Sequence, residues 1–327
     1  MARYILRRCL TMVVIVIATA FVIFTILYFT PGDPARALLG STATDAEVAA
    51  FRDQLGLTRP YLVQLGDYLY NTFIRFDLGS SWLYKVPVVD ELMTRMPRTV
   101  IIGLSAMVLN LAIGLALGVF AGTHEGRWQD SVTMSVAMLF ISAPDFWVAL
   151  MMIVLFSAML GWLPAYGIGG PEYYIMPIIC AALPGIAVNA RQARSSILEV
   201  FREDFVTTAR AKGQRESVVV RAHMLPNAMT PIITSVGAGF ARIVAGSPVI
   251  ETVFAVPGIG VYMLSAINAG DYPAVRASVL FFAVFTAVAM LVVDLAYAFV
   301  DPRIRARYSG GPTQRRVKAA TLVGVKA

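Results

Sequence analysis

The chain has 327 residues, of which 58% are hydrophobic and 14% are charged, and its mean hydropathy is +0.70. Soluble domains carry about 25% charged residues, so this composition excludes an ordinary soluble enzyme and predicts a membrane protein with several spans. The net charge of +7 indicates no nucleic-acid partner, because cytoplasmic basic residues and attraction to anionic membrane lipid account for it.

The first predicted membrane helix is Cys9–Phe29, an uncharged run preceded by Arg3, Arg7 and Arg8. A cleaved signal peptide is the alternative, but its apolar region would span only about 7–15 residues before a small-residue cleavage site. Because aromatic residues and then Pro31-Gly32 end this run, we predict an uncleaved helix.

The polar segment 31–94 separates the first span from the second and is rich in turn-forming residues. Within it, Thr44–Leu55 predicts a short helix that the side chain of Thr44 or Asp45 can cap. Because long unstructured loops are uncommon, we expect a small folded element in this segment.

Five further apolar stretches are long enough to cross a bilayer, which takes roughly 20 helical residues. They are Thr99–Thr123, Ser131–Leu160, Tyr173–Ala190, Pro231–Glu251 and Ala277–Val300. We expect Pro144 to kink the third span, and Pro177 and Pro184 to interrupt the fourth.

The distribution of basic residues sets the predicted orientation. Six spans place both termini on one side, and the short loops near 161–174 and 251–275 contain no Lys or Arg. By the positive-inside rule these loops lie outside. The predicted fold class is therefore an all-α polytopic membrane protein with six transmembrane helices and both termini in the cytoplasm.

The sequence lacks the residues that a self-contained enzyme or ATP-driven pump would need. A phosphate-binding loop ends in Gly-Lys-Ser/Thr, and no lysine of this chain follows a glycine. The two histidines, His124 and His223, fall in basic loops, and both Cys9 and Cys180 fall in predicted helices. We therefore predict no catalytic residues, no metal site and no cofactor bound by this chain.

The longest predicted cytosolic loop, about 197–226, has a helical pattern. Apolar residues recur at steps of four and would line one helical face: Ile197, Phe201, Phe205 and Ala209. Gly213 stands at the next step, where a residue with positive φ commonly ends a helix. A second helical stretch is expected to follow and to be broken at Pro226 and Pro231. An amphipathic helix lying on lipid is the alternative interpretation.

The spacing within this loop resembles the coupling motif of ABC importer permeases, the "EAA" loop that docks onto an ATPase subunit. The matching residues run from Asp204 to Gly213 and then to Leu225-Pro226. Of the Glu-Ala-Ala triplet only the last residue is present, since Thr207 and Thr208 replace the first two.

Motifs along the rest of the chain resemble one branch of these permeases. The matching segments are Pro31-Gly32-Asp33-Pro34, Asp77-Leu78-Gly79-Ser80, Arg95-Met96-Pro97-Arg98-Thr99, Gly161-Trp162-Leu163-Pro164-Ala165, Thr208 to Gly213, Glu251 to Gly260, Asp271-Tyr272-Pro273 and Asp301-Pro302-Arg303-Ile304-Arg305. In this order, over residues 1 to about 307, they resemble the "B" type subunit of the dipeptide/oligopeptide permease family. The Thr-Ala-Arg-Ala-Lys-Gly variant of the coupling motif is usual in that family.

The resemblance implies a type I ABC importer permease fold with an extracytoplasmic insertion between helices 1 and 2, in the bacterial cytoplasmic (inner) membrane. It divides the chain into residues 1–30 with the first helix, 31–94 outside, 95–300 as the ABC transmembrane domain and 301–327 as a basic cytosolic tail. The implied partners are a second permease subunit in a heterodimer, two ATP-binding subunits that hold ATP and Mg, and an extracytoplasmic substrate-binding protein.

The resemblance also implies a docking surface for the ATPase in the loop. Its candidate residues are Phe205, Thr207, Thr208, Ala209, Arg210, Lys212, Gly213, Leu225 and Pro226. On the outer side, Asp77, Asn268 and Asp271 are candidate contacts of the binding protein, and a purely structural outer cap is the alternative.

Charges predicted inside or beside membrane spans are candidate pathway or gate residues, because burying a charge in a bilayer is costly. Arg242 falls near the middle of the fifth span, Asp145 follows Pro144, and Glu251 ends the fifth span. Structural alternatives exist, since Arg242 can pair with a carboxylate and Asp145 can mark a hinge.

The expected function is a membrane pathway for short peptides, which the binding protein delivers and which alternating access carries inward as partner ATPases bind and hydrolyse ATP. Glutathione and nickel-chelate importers share this permease type, and the sequence does not separate them. An ion-coupled secondary transporter and a non-transporting membrane scaffold are the alternatives from other classes.

Overall fold

The structure, a computed structural model, describes the backbone of residues 2–300. Side chains are described over residues 5–292, except at 230, 233–238, 240–242 and 245–247. In this part of the chain the backbone forms helices and connecting turns, and an isolated β-bridge joins Ser80 to Pro87.

The helices follow in chain order. The first four are α1 (Ala2–Phe29), α2 (Pro34–Leu39), α3 (Asp45–Gln54) and α4 (Tyr61–Phe73). The next are α5 (Val88–Thr123), α6 (Trp128–Ser142) and α7 (Asp145–Met152), with a π-helical extension Ile153–Met159. Then come α8 (Glu172–Phe201), α9 (Asp204–Ala211), α10 (Glu216–Val218) and a second π-helical segment, Val219–Met224. The last are α11 (Leu225–Val253), α12 (Ile259–Ala269) and α13 (Tyr272–Val300).

Four of these helices are long and apolar enough to cross a membrane: α1, α5, α8 and α13. The pair α6 and α7, bent by 103° at its break, is a fifth candidate if both arms form one span. The bend falls at Ala143-Pro144, because Ala143 is extended and the residue before a proline avoids helical angles. The chain is an all-helical membrane protein with four or five candidate spans among the described residues.

Two expected interruptions are wrong. Helix α8 runs without a break through Pro177 and Pro184, and α11 begins at Leu225 and continues through Pro231. Pro226 lies where α11 continues directly from the π-helical segment Val219–Met224, so the helical stretch accommodates this proline as well. Within α8, extensive contact with α5 stabilises the helix across its prolines.

The α5–α8 pair is the most extensive helix contact in the described structure. Three glycines of α5, spaced by four, face α8: Gly114, Gly118 and Gly122. A Cβ placed on Gly118 would lie 2.4 Å from the carbonyl oxygen of Ala190 and 2.5 Å from the Cβ of Ala193. Small residues at this spacing let membrane helices approach closely. In the same interface, Asn189 Nδ2 donates a 2.9 Å hydrogen bond to Asn110 Oδ1.

The folded element expected in segment 31–94 is present as α2, α3 and α4. Thr44 caps α3 as predicted, since its hydroxyl accepts the N–H of Glu47 and the Glu47 carboxylate accepts the N–H of Thr44. Helix α4 is fastened to α1, where the hydroxyls of Thr25 and Tyr61 share a hydrogen bond of 2.8 Å.

Asp271 ties the 81–83 loop, which follows this element, to the start of α13 and is completely buried. Its Oδ1 accepts the N–H of Trp82 at 3.1 Å, and its Oδ2 accepts the N–H of Leu83 at 3.2 Å and the hydroxyl of Ser81. The expectation of an exposed partner contact at Asp271 is therefore corrected, because its carboxylate is occupied inside the protein. The hydrogen bond between Ser81 and Asp271 joins residues 190 positions apart, and no local sequence pattern predicts such a pairing.

Candidate functional site

The coupling segment, defined here as residues 202–226, leaves α8 at a turn. Arg202 and Glu203 separate α8 from α9, so α9 does not continue the rotation of α8. The expected single stripe is therefore wrong at Phe205, which is 40% exposed, whereas its neighbour Val206 is fully buried.

A buried apolar cluster holds the short helices of the coupling segment together. This coupling cluster consists of Ile197, Val206, Ala209, Val219, Met224 and Ala228. Because Ile197 belongs to α8 and Ala228 to α11, the cluster connects α9 to two long helices. Full burial of a Val or Met side chain contributes about 1.5–3 kcal/mol, so the cluster stabilises the packing of the segment against the helices that carry it. The expected first short helix is present as α9, whereas the expected second one is not separate, because the helical stretch that begins at Glu216 runs without a break into α11.

Gly213 ends α9 as its position predicts, with a φ of +75°. Its N–H donates to the carbonyl of Arg210 at 2.9 Å, and the N–H of Gln214 donates to the carbonyl of Ala209 at 3.4 Å. This pair of bonds is the Schellman pattern, which satisfies the last carbonyls of a helix. A residue with a Cβ would adopt this left-handed conformation at a cost of about 1–2 kcal/mol.

Arg210 fastens α9 to α10. Its guanidinium donates to both carboxylate oxygens of Glu216 at 2.6 and 3.1 Å, and it lies 4.2 Å from the ring centroid of Phe201. This hydrogen bonding raises the pKa of Arg210 and lowers that of Glu216, so the pair stabilises the segment at neutral pH and is lost as Glu216 protonates in acid. Because the Glu216 side chain is 58% exposed, the pair contributes at most about 1 kcal/mol.

The side of α9 opposite the cluster is open to solvent. We call it the docking face, and its residues are Phe205, Thr207, Thr208 and Lys212. Pro226 is also exposed and Leu225 is half-buried, whereas Ala209 lies in the cluster beneath the docking face. The structure thus divides the candidate residues into an exposed set that can meet a partner and a buried set that supports it.

An ion pair that the sequence did not reveal joins α8, which precedes the coupling segment, to α6. Arg194 on α8 donates from Nε and Nη2 to the two carboxylate oxygens of Asp130 on α6, at 2.6 and 2.7 Å. Asp130 is 5% exposed, and its Oδ2 also accepts the N–H of Gly126 at 3.3 Å. The two partners stand 64 residues apart, so only the fold brings them together.

Glu251 is completely buried and organises the start of α12. Its Oε1 accepts the hydroxyl of Thr99 at 2.7 Å, and its Oε2 accepts the N–H of Val261 at 3.1 Å. The Thr99 oxygen in turn accepts the N–H of Ile259 at 2.9 Å. The carboxylate thus satisfies free N–H groups at a helix N-terminus, where negative charge is stabilising, and its pathway or gate role stays a prediction.

We expect Glu251→Gln to lower stability by about 1–3 kcal/mol, because an amide placed in this site sets an NH2 group against a backbone N–H. Thermal unfolding of the purified chain in detergent measures the effect. Glu91→Gln is the matched control, since Glu91 forms a partly exposed pair with Arg95 within α5, worth about 0.5 kcal/mol or less. Equal changes for the two variants would contradict the structural role of Glu251.

The other candidates are dispersed. Asp145 is half-buried and lines a small cavity of about 40 Å³ together with Asn189. Arg242 belongs to α11, but its side chain lies outside the described residues. Asp77 and Asn268 are both exposed, and Asp77 Oδ1 accepts the N–H of Gly79 at 2.8 Å.

Comparison with known proteins identifies the family. Residues 114–306 match the family described as "Binding-protein-dependent transport system inner membrane component", which covers more than half of the chain. The chain belongs to this family. Residues 1–103 match its companion N-terminal region, described as "Binding-prot-dependent transport system membrane comp, N-term".

Curated relatives of this binding-protein-dependent permease align over 93% of its length. A putative peptide transport system permease of Brucella abortus is 36% identical over 313 residues, with 99% of that protein covered. The glutathione transport system permease of Salmonella choleraesuis is 36% identical over 305 residues, also with 99% covered. The dipeptide transport system permease of Alkalihalophilus pseudofirmus is 34% identical over 333 residues, with all of that protein covered.

A solved structure supports the fold. A chain from the inward-facing MetNI methionine ABC transporter aligns with a TM-score of 0.52 and 18% identity, over 65% of this chain and 96% of that chain. At this identity the likeness concerns the fold alone.

Family membership states what kind of protein carries the coupling segment. The permease is a multi-pass inner-membrane protein and a transport subunit rather than an enzyme, and it binds no cofactor because its ATPase partners handle ATP. It is the membrane component of an ABC transporter complex, which implies ATPase and binding-protein partners.

Proposed function

We propose that this permease carries short peptides across the inner membrane in a heterodimer with a second permease subunit, driven by two ATP-binding subunits. The observation that carries the proposal is the docking face of α9, an exposed surface that a buried cluster joins to α8 and α11. The peptide and dipeptide permeases among the relatives support the substrate class. The glutathione relative supports the same chemistry, since glutathione is itself a small peptide.

The proposed topology has six spans with both termini inside. The span added to the five candidates is α11, the fifth in chain order, whose 29 residues are long enough to cross a bilayer. Segment 31–94, folded as α2 to α4, would form the extracytoplasmic region between the first two spans, and the coupling segment would lie in the cytoplasm with its basic residues. The proposed boundaries remain 1–30, 31–94, 95–300 and 301–327.

Force would reach the pathway through the contacts behind the docking face. Closure of the ATPase pair moves α9, the coupling cluster transmits the displacement to α8 and α11, and the Arg194–Asp130 pair passes it to α6. Such coupling requires that the docking face bind the ATPases differently in the inward-open and outward-open states, because equal contacts shift no equilibrium.

The remaining candidate residues take proposed roles on the pathway and at its mouth. Asp145 stands beside the 103° break between α6 and α7, which suits a hinge that alters the pathway. Arg242 on α11 is proposed to contact a substrate carboxylate or to form part of a gate. Asp77 and Asn268, both exposed, are proposed contacts of the binding protein.

The test is transport by the intact complex, purified from its native host through a tag on this chain and reconstituted with its binding protein in proteoliposomes. We expect ATP-dependent uptake of a radiolabelled dipeptide that persists when ion gradients are collapsed. Labelled glutathione and a nickel chelate are tested in parallel. Preference for either of these would reassign the substrate, and uptake that needs an ion gradient but no ATPase would overturn the ABC importer mechanism.

A further inference from the structure

A cavity of about 570 Å³ lies on the outer side, between the end of α1, helix α4, the 77–82 loop and the first turn of α13. Small-molecule sites usually measure about 300–1,000 Å³, so it is large enough for a ligand. None of the residues that line it belongs to the coupling segment. The transport mechanism described above therefore gives this cavity no role.

Arg276 contributes a positive charge to the cavity lining. The buried carboxylate of Asp271 lies near enough to interact with it electrostatically, but that carboxylate is hydrogen-bonded to the 81–83 loop. The Arg276 guanidinium lies over two aromatic rings, 4.8 Å from the centroid of Tyr68 and 5.4 Å from that of Phe24. Its Nε donates to the carbonyl of Tyr272 at 3.2 Å, and it forms no ion pair with any carboxylate among the described side chains. A guanidinium has five N–H donors, so most of its donors are left for a ligand.

The other arginines that line the cavity are neutralised. Arg52 pairs with Asp33 at 2.6 Å, and Arg59 pairs with Asp67 at 2.6 Å. The third acid of the lining, Asp77, is exposed to solvent and accepts the N–H of Gly79. The cavity therefore combines one unpaired cation in its wall with one exposed carboxylate.

Two buried hydroxyls in the same wall lack a well-formed hydrogen bond: Tyr68 and Thr72. They stand one turn apart on α4 and lie close enough for a weak mutual hydrogen bond, but their geometry falls short of a full one, and neither has another partner. Thr72 is only 7% exposed, and a buried hydroxyl without a partner costs about 1–3 kcal/mol. Burial raises the pKa of Tyr68 to about 12, so its phenol is protonated at neutral pH and can donate.

We propose that this cavity binds one oxyanion, a carboxylate or a phosphate, which Arg276 neutralises and to which Tyr68 and Thr72 donate hydrogen bonds. A short peptide offers its C-terminal carboxylate, in which case the site deepens the proposed function as an outer binding site for the substrate. A lipid offers its phosphate, since Leu27 and Tyr28, at the outer end of the largely lipid-facing α1, also line the cavity. The two sources share one recognition chemistry.

The experiment is isothermal titration of the purified full-length chain, in detergent without added lipid, with two soluble probes: glycyl-leucine and dihexanoylphosphatidylglycerol. We expect one probe to bind, with Arg276→Gln weakening it at least about tenfold and Tyr68→Phe or Thr72→Val weakening it about threefold to tenfold. Arg75→Gln is the matched control and should leave binding unchanged, because Arg75 stacks on Tyr70 at 5.2 Å but does not line the cavity. If Asp77→Asn also weakens binding of glycyl-leucine, the ligand is the peptide, because the Asp77 carboxylate would pair with the ammonium group of the peptide.

Thermal unfolding without a probe supplies a second readout. Thr72→Val removes a poorly satisfied hydroxyl, so we expect the Tm of this variant to rise. Its affinity for the probe should fall at the same time. A purely structural role of Thr72 would not raise stability and lower affinity together. No binding of either probe at about 10 mM, or equal binding by wild type and Arg276→Gln, would overturn the proposal. Either result would leave dipeptide uptake by the intact complex unaffected, so the two proposals fail separately.

Discussion

Phe205→Asp is expected to abolish uptake and to prevent co-purification of the ATPase subunits, while the permease itself remains folded. Phe205 is 40% exposed on the docking face, and a large aromatic at the centre of an interface typically contributes about 2 kcal/mol or more. A loss of this size weakens ATPase binding roughly 30-fold, before the cost of burying a new charge is added. Pull-down through a tag on the permease and reconstituted uptake measure the two effects.

Two control variants show where the effect of Phe205→Asp originates. Leu62→Asp places the same charge at a 76% exposed position on α4, and it should leave ATPase co-purification unchanged. Ala209→Arg should also break ATPase binding, but with a clear fall in Tm, because Ala209 is 5% exposed within the coupling cluster. If the ATPase subunits still co-purify with Phe205→Asp and uptake is normal, the docking face is wrongly assigned.

Gly118→Ala is expected to destabilise the permease by about 1–3 kcal/mol, and Gly118→Leu to prevent its folding. The added Cβ would lie 2.4 Å from the carbonyl oxygen of Ala190, a backbone atom that cannot move without separating α5 from α8. Alanine also favours a helix over glycine by about 0.5–1 kcal/mol, so a net loss shows that the steric conflict dominates. The yield of folded chain in detergent and its Tm measure the change.

Gly66→Ala is the matched control for Gly118→Ala. Gly66 lies inside α4, and a Cβ added there meets nothing within 4 Å. The substitution should therefore raise stability by about 0.5–1 kcal/mol. An unchanged or higher Tm for Gly118→Ala would contradict the close α5–α8 contact.

Local patterns anticipated much of the coupling segment. The positive φ of Gly213, the short helix α9 and the capping of α3 by Thr44 all follow from signals within a few residues of each other. The stripe toward Phe205 failed because the turn at Arg202-Glu203 resets the helix rotation, and periodicity does not show such a turn. The interruptions expected at Pro177 and Pro184 failed because tertiary contact outweighed the local preference of proline.

Long-range pairings were beyond the reach of the sequence. Glu251 was expected on the pathway and Asp271 on the surface, since a single sequence shows that a carboxylate is present but not which groups surround it. In the structure Thr99 and Val261 donate hydrogen bonds to the Glu251 carboxylate, and the 81–83 loop donates hydrogen bonds to the Asp271 carboxylate. Arg194 with Asp130 and the Arg276 cavity arise in the same way, from residues that are distant along the chain.

The sequence by itself determined that this is a helical membrane permease and predicted a short helix that ends at Gly213, because hydrophobic length, positive charge and turn residues act over a few neighbouring residues. Only the tertiary structure decided which carboxylates are buried, which side of α9 is exposed, and which cation of the cavity forms no ion pair. Those properties depend on what packs against each group, and burial and pairing are set by neighbours that the order of residues does not reveal.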